Sequence, residues 1–214
     1  MDEIVIYGTP GSPYLRAALM GIEEKALPYR LVPVPFGENR SPKHLARHPF
    51  GRVPVVDHGD FRLYETQAIL RYLDRIAPEP ALTPADPRQA ARMDQIVGIV
   101  DWYLFPQVSA TIAYQRLIVP MTGRAPDEAI IEAAIPKARV CFSELDRLKG
   151  GKPYFAGEQV SLADLMLAPQ MQVLARTAEG EDLMRGTSFV EWLARMAARP
   201  SMQATTMKRL SQAA

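Results

Sequence analysis

The sequence has little of several features that assign proteins to specialised classes. It contains one cysteine, Cys141, which excludes an internal disulfide framework and a Cys-x-x-Cys redox motif. Its net charge is +1 at pH 7, so neither nucleic acid nor a membrane surface is indicated as a partner. The acidic start Met1-Asp2-Glu3 does not resemble a signal peptide, and no apolar run suggests a membrane span. We therefore expect a soluble, cytoplasmic protein.

Metal ligands are also scarce. His44 and His48 are four positions apart, a spacing that places two ligands on one helix face. No third ligand lies near them in the sequence, so we expect no metal and interpret both as surface or hydrogen-bonding histidines. Cys141 lies inside an apolar helical pattern and is predicted to be a buried packing residue.

The 214 residues, of which 48% are hydrophobic, suffice for one large or two small domains. The apolar run 4–7 predicts a strand buried on both faces. Ser12 followed by proline predicts the start of a helix that continues to about residue 25. Residues 29–34 alternate like a second strand. These three elements predict a βαβ unit.

A second set of elements follows in the same half. Residues 53–56 and 61–64 are separated by the turn-rich stretch Asp57-His58-Gly59-Asp60, which predicts a hairpin. Apolar residues then recur at helical spacing through positions 69, 70, 73 and 76. The pattern βαβ followed by ββα predicts a mixed four-stranded sheet.

Prolines are dense between residues 78 and 87, which predicts a stiff linker. We therefore predict three parts: a first domain over 1–77, a linker over 78–87, and an all-helical domain over 88–214. The helices of the second domain are predicted over 88–117 with a kink at Pro106, over 127–148 and over 189–198. Ser161 and Asp164 predict a capping box before another helix. The expected fold class is α+β.

The proline at position 54 is unexpected, because proline cannot donate to a sheet ladder. One interpretation is a cis Val53–Pro54 bond at the end of the sheet, and the other is an edge strand that carries a proline. Downstream, Glu65-Thr66 opens a helix. An exposed backbone edge beside a helix N-terminus suits a peptide-like ligand that carries a carboxylate.

Four segments occur together in an order and spacing typical of one family. They are residues 7–16 (YGTPGSPYLR), 48–56 (HPFGRVPVV), 63–72 (LYETQAILRY) and 154–164 (YFAGEQVSLAD). On these segments the chain resembles the soluble glutathione S-transferases over essentially its full length. It is similar to bacterial-type members and to the serine-using theta and phi classes. The resemblance implies a thioredoxin-like domain followed by a helical domain.

The resemblance implies that Ser12 activates the thiol of glutathione, since the thiolate is the nucleophile. A hydroxyl donor at a helix N-terminus can stabilise that anion. The alternative is that Ser12 only caps its helix, and the two roles are compatible. Tyr7, Tyr14 and Thr9 are other hydroxyls near the same loop. A cysteine is absent at or beside position 12, which disfavours thiol-transferase chemistry.

The resemblance also implies residues that bind glutathione, the expected co-substrate. Val53, before the cis Pro54, would pair its backbone with the cysteinyl unit. Glu65 would accept from the γ-glutamyl ammonium, while Thr66 and the helix N-terminus would meet its carboxylate. The alternative for Glu65 and Thr66 is ordinary helix capping.

Arg40 and Arg52 would meet the glycyl carboxylate of glutathione. In the phi pattern lysine and glutamine are typical there, so Arg52 is a departure that either binds the carboxylate bidentately or remains a surface charge. The pattern differs also at Asn39, where a histidine is usual, and at His48, where an asparagine is usual.

The electrophile is expected to bind between the two domains, near the sulfur. Phe36, Tyr103 and Tyr114 are candidates for its pocket, or else are plain core or surface aromatics. The predicted activity is conjugation of glutathione to an apolar electrophile. Alternatives are a glutathione-dependent isomerase, dehalogenase or peroxidase, or a binding protein on the same fold without turnover. The family also implies a homodimer, in which Asp94 or Asp101 would reach the partner's glutathione.

Overall fold

The computed structural model describes residues 2–212, which form two compact units. The first unit contains the residues up to Leu82 together with those from Ala197 onward. The second unit runs from Thr83 to Met196. Each unit has its own set of buried apolar side chains.

The first unit is built on one four-stranded sheet. Its strands are β1 (Ile4–Gly8), β2 (Tyr29–Pro33), β3 (Val55–His58) and β4 (Phe61–Tyr64), in the order β2-β1-β3-β4. The pair β1 and β2 is parallel, while β3 is antiparallel to both β1 and β4. The predicted mixed sheet and its hairpin are confirmed.

The helices of this part are α1 (Pro13–Glu24), α2 (Pro42–Leu45) and α3 (Thr66–Ile76), with a 3₁₀ turn over Glu38–Arg40. Ser12 caps α1 as predicted, with proline at the first helical position. The sequence did not predict α2, because four residues are too short to show an apolar repeat.

The core of the first unit lies on one face of the sheet. Ile4 and Ile6 of β1 pack there with apolar residues of α1, β3 and α3. Val5 and Tyr7 point to the opposite face and are only half-buried. The prediction that this strand is buried on both faces was therefore wrong. Alternate residues of a strand face opposite sides, and the side that carries Ile4 and Ile6 is the one that faces the core.

The second unit is helical. Its helices are α4 (Pro87–Ile99), α5 (Phe105–Gln107), α6 (Glu128–Lys149), α7 (Leu162–Leu174), α8 (Ala178–Met184) and α9 (Phe189–Ala197). Between residues 83 and 196, all of which are described, the one β pairing is an isolated bridge of Tyr154 with Gly157. The predicted all-helical character is confirmed.

The segment around Pro106 differs from the prediction of a kinked α-helix. Two stretches of wider π-helical turns, Val100–Leu104 and Val108–Ile118, flank the short α5 that contains this proline. Proline removes one backbone donor from the helical ladder, and π-turns are one way to accommodate such a loss. A 3₁₀ turn, Val119–Thr122, ends the segment.

The continuous helical stretch Pro87–Thr122 is long and apolar enough to cross a membrane, by length and composition alone. Its best 18-residue window has a mean hydropathy of 1.3, and 39% of that window is buried inside the protein. The sequence did not reveal this stretch as one apolar run. Core helices of globular proteins meet the same criterion, so the feature does not assign the chain to the membrane.

A buried carboxylate organises the start of α7. Asp164 accepts hydrogen bonds from the backbone N–H groups of Phe155 and Ser161, from the Ser161 hydroxyl, and from Trp192 Nε1. The Ser161–Asp164 capping box predicted from the sequence is thus confirmed. Complete burial raises the pKa of the Asp164 carboxyl, and the four donors oppose that shift.

The residues after Ala197 form α10 (Pro200–Ala204) and α11 (Met207–Gln212) and belong to the first unit. Buried Arg16 of α1 donates from Nε to the Thr205 carbonyl at 2.7 Å and from a terminal nitrogen to the Met202 carbonyl at 3.1 Å. Glu24, also on α1, accepts two hydrogen bonds from Arg199. These contacts explain why the segment joins the sheet unit, although the sequence assigned it to the helical domain.

Candidate functional site

The register of the sheet brings three sequence-predicted segments to one edge. Tyr7, next to the end of β1, pairs with Val55 at the start of β3, and Val55 pairs with Tyr64 at the end of β4. The loop after β1, the residues before β3 and the residues after β4 therefore lie side by side. Ser12, Val53 and Glu65 belong to these three segments, all within the first unit.

Ser12 lies half-buried at the N-terminus of α1. Its hydroxyl oxygen accepts a long hydrogen bond from the Leu15 N–H, at 3.4 Å, so its own proton remains free to be donated. Its backbone N–H donates to the Thr9 carbonyl at 2.9 Å and fixes the loop. A hydroxyl in this position can donate to an anion that also benefits from the helix dipole.

The neighbouring hydroxyls of Thr9 and Tyr7 are used differently. The Thr9 hydroxyl donates to the Val34 carbonyl at 2.8 Å, which ties the loop after β1 to the end of β2. The Tyr7 ring lies under the guanidinium of Arg47, 4.5 Å from its centroid, and Tyr7 adds to the effect of Arg62 in lowering the pKa of the Asp57 carboxyl on β3. The Thr9 hydroxyl therefore has a structural partner, whereas Tyr7 is held through its ring by Arg47.

The Val53–Pro54 peptide bond is cis, as the first of the two interpretations of Pro54 predicted. Val53 lies just before β3, outside the paired strand residues. Within residues 2–212 its backbone N–H and C=O make no hydrogen bond. An extended peptide could pair with both groups, in the manner of an added strand.

Glu65 and Thr66 form the N-terminus of α3. Glu65 has φ 71° and ψ 111°, a conformation that non-glycine residues rarely adopt and that costs about 1–3 kcal/mol. Glu65, the N-cap residue, makes no side-chain capping hydrogen bond to this helix, and a helix N-terminus favours an anion. The Glu65 side chain is 59% exposed, while Thr66 is buried.

His44 and His48 are both buried. Of the two interpretations, the surface one was therefore wrong for both, while the hydrogen-bonding one is confirmed for His44. His44 Nε2 donates to the Arg52 carbonyl at 2.7 Å and supports the chain next to Val53. His48 Nε2 lies 4.0 Å from Glu65 Oε1, and its ring packs on Tyr64 with centroids 4.5 Å apart. The sequence feature that could have drawn attention to this residue is the histidine itself, because the family usually has asparagine at position 48.

Arg40 and Arg52 are both exposed, and neither forms an ion pair with a described residue. Asn39 donates from Nδ2 to the Gly51 carbonyl at 2.6 Å, which holds the loop that leads into Arg52. The two guanidinium groups can therefore meet a carboxylate ligand in water. Arginine suits this role because its planar donors match a carboxylate bidentately.

The three aromatic candidates lie in two different units. Phe36 belongs to the first unit and is 71% exposed, while Tyr103 and Tyr114 of the second unit are 64% and 38% exposed. They are therefore not core residues. Asp94 and Asp101 lie on the same helical stretch as the two tyrosines.

No group of three or more potential metal ligands occurs among residues 2–212. Cys141 is buried and unpaired, and burial raises the pKa of its thiol, so it is a packing residue as predicted. We therefore assign no site to the potential metal ligands or to Cys141.

The geometry described above is that of a thioredoxin-like domain followed by a helical domain, and comparison with known proteins assigns its family. Residues 6–81 match the profile of the glutathione S-transferase N-terminal domain, and residues 97–200 match that of the C-terminal domain. The chain belongs to the glutathione S-transferase family. It is 32% identical to glutathione S-transferase 4 of Zea mays, covering 92% of this chain and 89% of the relative.

Two further relatives extend the likeness. The chain is 31% identical to the probable glutathione S-transferase GSTF2 of Oryza sativa subsp. japonica, with 95% of each chain covered. Its structure is similar to that of maize glutathione S-transferase I in complex with an atrazine glutathione conjugate. That match has a TM-score of 0.82, 27% identity, and 99% coverage of each chain.

Proposed function

We propose that the protein joins the thiolate of glutathione to an apolar electrophilic small molecule, with Ser12 as the catalytic residue. The observation that carries this proposal is the donor hydroxyl of Ser12 at the N-terminus of α1, at the sheet edge shared with Val53 and Glu65. Family membership supports the activity. The structure of the maize relative with a glutathione conjugate supports it further.

The chemistry requires the thiolate, because the thiol is a weak nucleophile. A free thiol titrates near pH 8.5, and lowering its pKa by about two units requires roughly 2.7 kcal/mol of preferential stabilisation of the anion. The Ser12 hydroxyl and the N-terminus of α1 supply donors of the needed kind. With an aryl halide, the C–S bond forms, the halide leaves with the bonding electron pair, and the thiol proton passes to solvent.

Glutathione would lie along the shared edge. The backbone of Val53 would pair with the cysteinyl unit beside Pro54. The Glu65 carboxylate would accept from the γ-glutamyl ammonium, and Thr66 with the N-terminus of α3 would bind its carboxylate. Both charged ends of the γ-glutamyl unit would thus be satisfied.

Arg40 and Arg52 would bind the glycyl carboxylate. Their exposure and lack of an acidic partner among the described residues support this role. Phe36, Tyr103 and Tyr114 stay candidates for binding the electrophile on the family resemblance.

The finer classification is also a proposal. The serine-using phi-like type is supported by the Ser12 loop and by the relative named GSTF2, while the bacterial type rests on sequence resemblance alone. A cytoplasmic homodimer, with Asp94 or Asp101 near the partner's glutathione, follows the family expectation. The domain boundaries 1–77, 78–87 and 88–214 stay a prediction.

Two measurements on the intact protein test the activity. Retention on immobilised glutathione and a saturable titration would support the binding site, and conjugation of an activated aryl halide would support turnover. Saturable binding without conjugation of any electrophile in a broad panel would favour the alternative of a binding protein. Absence of saturable binding would contradict the proposal. Isomerase, dehalogenase and peroxidase substrates belong in the same panel, since all use the same thiolate.

A further inference from the structure

His48 occupies an unusual position for an ionisable side chain. The residue is 1% exposed, and its Nδ1 has no hydrogen-bond partner among residues 2–212. Its Nε2 faces Glu65 Oε1 at 4.0 Å, just beyond hydrogen-bond distance. A buried ring with one nitrogen directed at an exposed carboxylate is not explained by packing alone.

The groups around His48 come from every segment packed against it. Glu65 approaches from the junction of β4 and α3, and the Tyr64 ring lies against the imidazole. His44 of α2 stacks on the imidazole with ring centroids 6.5 Å apart, and Arg52 adds a positive charge from the loop before β3. Glu65 is the one anionic group in this set.

Burial is the largest influence on this imidazole and lowers the pKa of His48. The Glu65 carboxylate opposes the shift, while His44 and Arg52 reinforce it. His48 is therefore neutral at pH 7, where an N–H on Nε2 would point toward Glu65. Protonation in acid would convert the same contact into an ion pair with Glu65.

We propose that His48 is a positioning residue that orients Glu65 for the γ-glutamyl ammonium, and that its protonation competes with that ammonium for the Glu65 carboxylate. The inference rests on the glutathione site proposed above. The strained backbone of Glu65 strengthens the argument, because such a conformation persists only where neighbouring groups over-determine it. His48 lies beside this turn, near the Glu65 carboxylate and against the ring of Tyr64, the residue before Glu65.

The competition has a definite sign. A proton on His48 and a cationic ligand on Glu65 each weaken the binding of the other, and this coupling is reciprocal. Glutathione affinity is therefore full where His48 is neutral and falls as the pH drops below the pKa of His48, which burial holds under the ordinary histidine value of about 6.5. Glutathione binding should in turn release a proton in that range.

The test uses S-methylglutathione, which has no ionisable thiol, so that titration of sulfur does not contribute. Its dissociation constant is measured by calorimetry from pH 7 to pH 5, where the ligand's carboxylates stay ionised and its ammonium stays protonated. For the unmodified protein we expect affinity to fall by about three- to tenfold across this range, as expected for a coupling of ordinary size. Repeating the titration at pH 5.5 in buffers of different ionisation enthalpy should show proton release.

The variants separate titration from positioning. His48→Gln keeps a donor near Glu65 but cannot titrate, so its affinity at pH 7 should stay within about twofold and show no decline in acid. His48→Ala should raise the KM for glutathione about two- to tenfold, as expected when a polar group that positions Glu65 is removed, and leave kcat nearly unchanged. His58→Gln is the matched control, because His58 pairs with the Tyr72 hydroxyl instead. It should keep the decline of the unmodified protein.

Three results would overturn the inference. They are a flat profile for the unmodified protein, an unchanged decline in His48→Gln, and loss of the decline in His58→Gln. Each would leave the proposed function standing, since binding at pH 7 is measured in the same series. Absence of S-methylglutathione binding by the unmodified protein at every pH would overturn both.

Discussion

Lys25 Nζ lies 2.6 Å from Asp74 Oδ1, and this ion pair joins α1 to α3. The lysine side chain is fully buried and also donates to the carbonyls of Pro78 and Pro80, while Asp74 accepts from the Leu82 N–H. One charged pair therefore fixes the start of the proline-rich segment to the first unit. Asp74 is shielded as well, with 11% of its side chain exposed.

Lys25→Met is expected to lower the free energy of unfolding by about 3–5 kcal/mol, because it leaves the buried Asp74 carboxylate without its cation. Urea denaturation followed by circular dichroism measures the loss. Lys137→Met, on the exposed face of α6, is the control and should change the midpoint little. Equal midpoints for the two variants would contradict the role given to this pair.

Asp164→Asn is expected to destabilise the second unit by about 2–4 kcal/mol. The new amide nitrogen is itself a donor and would face the hydrogen-bond donors that the Asp164 carboxylate accepts from. Asp127→Asn is a matched control because Asp127 is an exposed N-cap of α6, where asparagine caps equally well. Denaturation curves of both variants check the difference. Comparable stability of the two would show that the buried hydrogen bonds of Asp164 contribute little.

Arg16→Lys is expected to loosen the residues after Ala197, because lysine cannot reproduce the two guanidinium hydrogen bonds to the Thr205 and Met202 carbonyls. Hydrogen exchange of peptides from this segment should accelerate, while exchange in the sheet changes less. Arg30→Lys provides the comparison, since Arg30 forms an exposed pair with Glu3. Unchanged protection after Arg16→Lys would place the anchor of this segment elsewhere.

Tyr7→Phe is expected to leave conjugation of an activated aryl halide within about twofold of the unmodified protein, since we assign activation of the thiol to Ser12. The phenyl ring keeps its place under Arg47. Steady-state kcat and KM for glutathione measure the effect. A loss of kcat by more than tenfold would assign thiol activation to Tyr7.

Local chemistry explains which parts of the fold could be read from the sequence. Ser12 before a proline, the proline in the apolar run 53–56, and the spacing of Ser161 and Asp164 each predicted a feature that depends on a few adjacent residues. Trp192 could not be paired with Asp164 in this way, because 28 positions separate them and only tertiary packing brings them together.

The candidate site shows the same limit. The sequence showed the hydroxyl of Ser12, the proline after Val53 and the helix start at Glu65. It did not show that two buried histidines lie against these segments. α2 has only four residues and His48 lies beyond it, so no apolar pattern could reveal that His44 and His48 are buried. Membership of residues 197–212 in the sheet unit depends on Arg16 and Glu24, whose partners lie more than 170 positions away.

The most direct test of the account is the conjugation rate of Ser12→Ala, measured with glutathione binding on the same preparation. Ser41→Ala is the matched control, because Ser41 also precedes a proline and caps a helix through its hydroxyl. We predict that Ser12→Ala binds glutathione within a fewfold but loses kcat by about 10²-fold or more, as expected on removal of one donor to the reacting anion, while Ser41→Ala keeps its rate. Equal binding and an unchanged rate in Ser12→Ala would contradict the central claim.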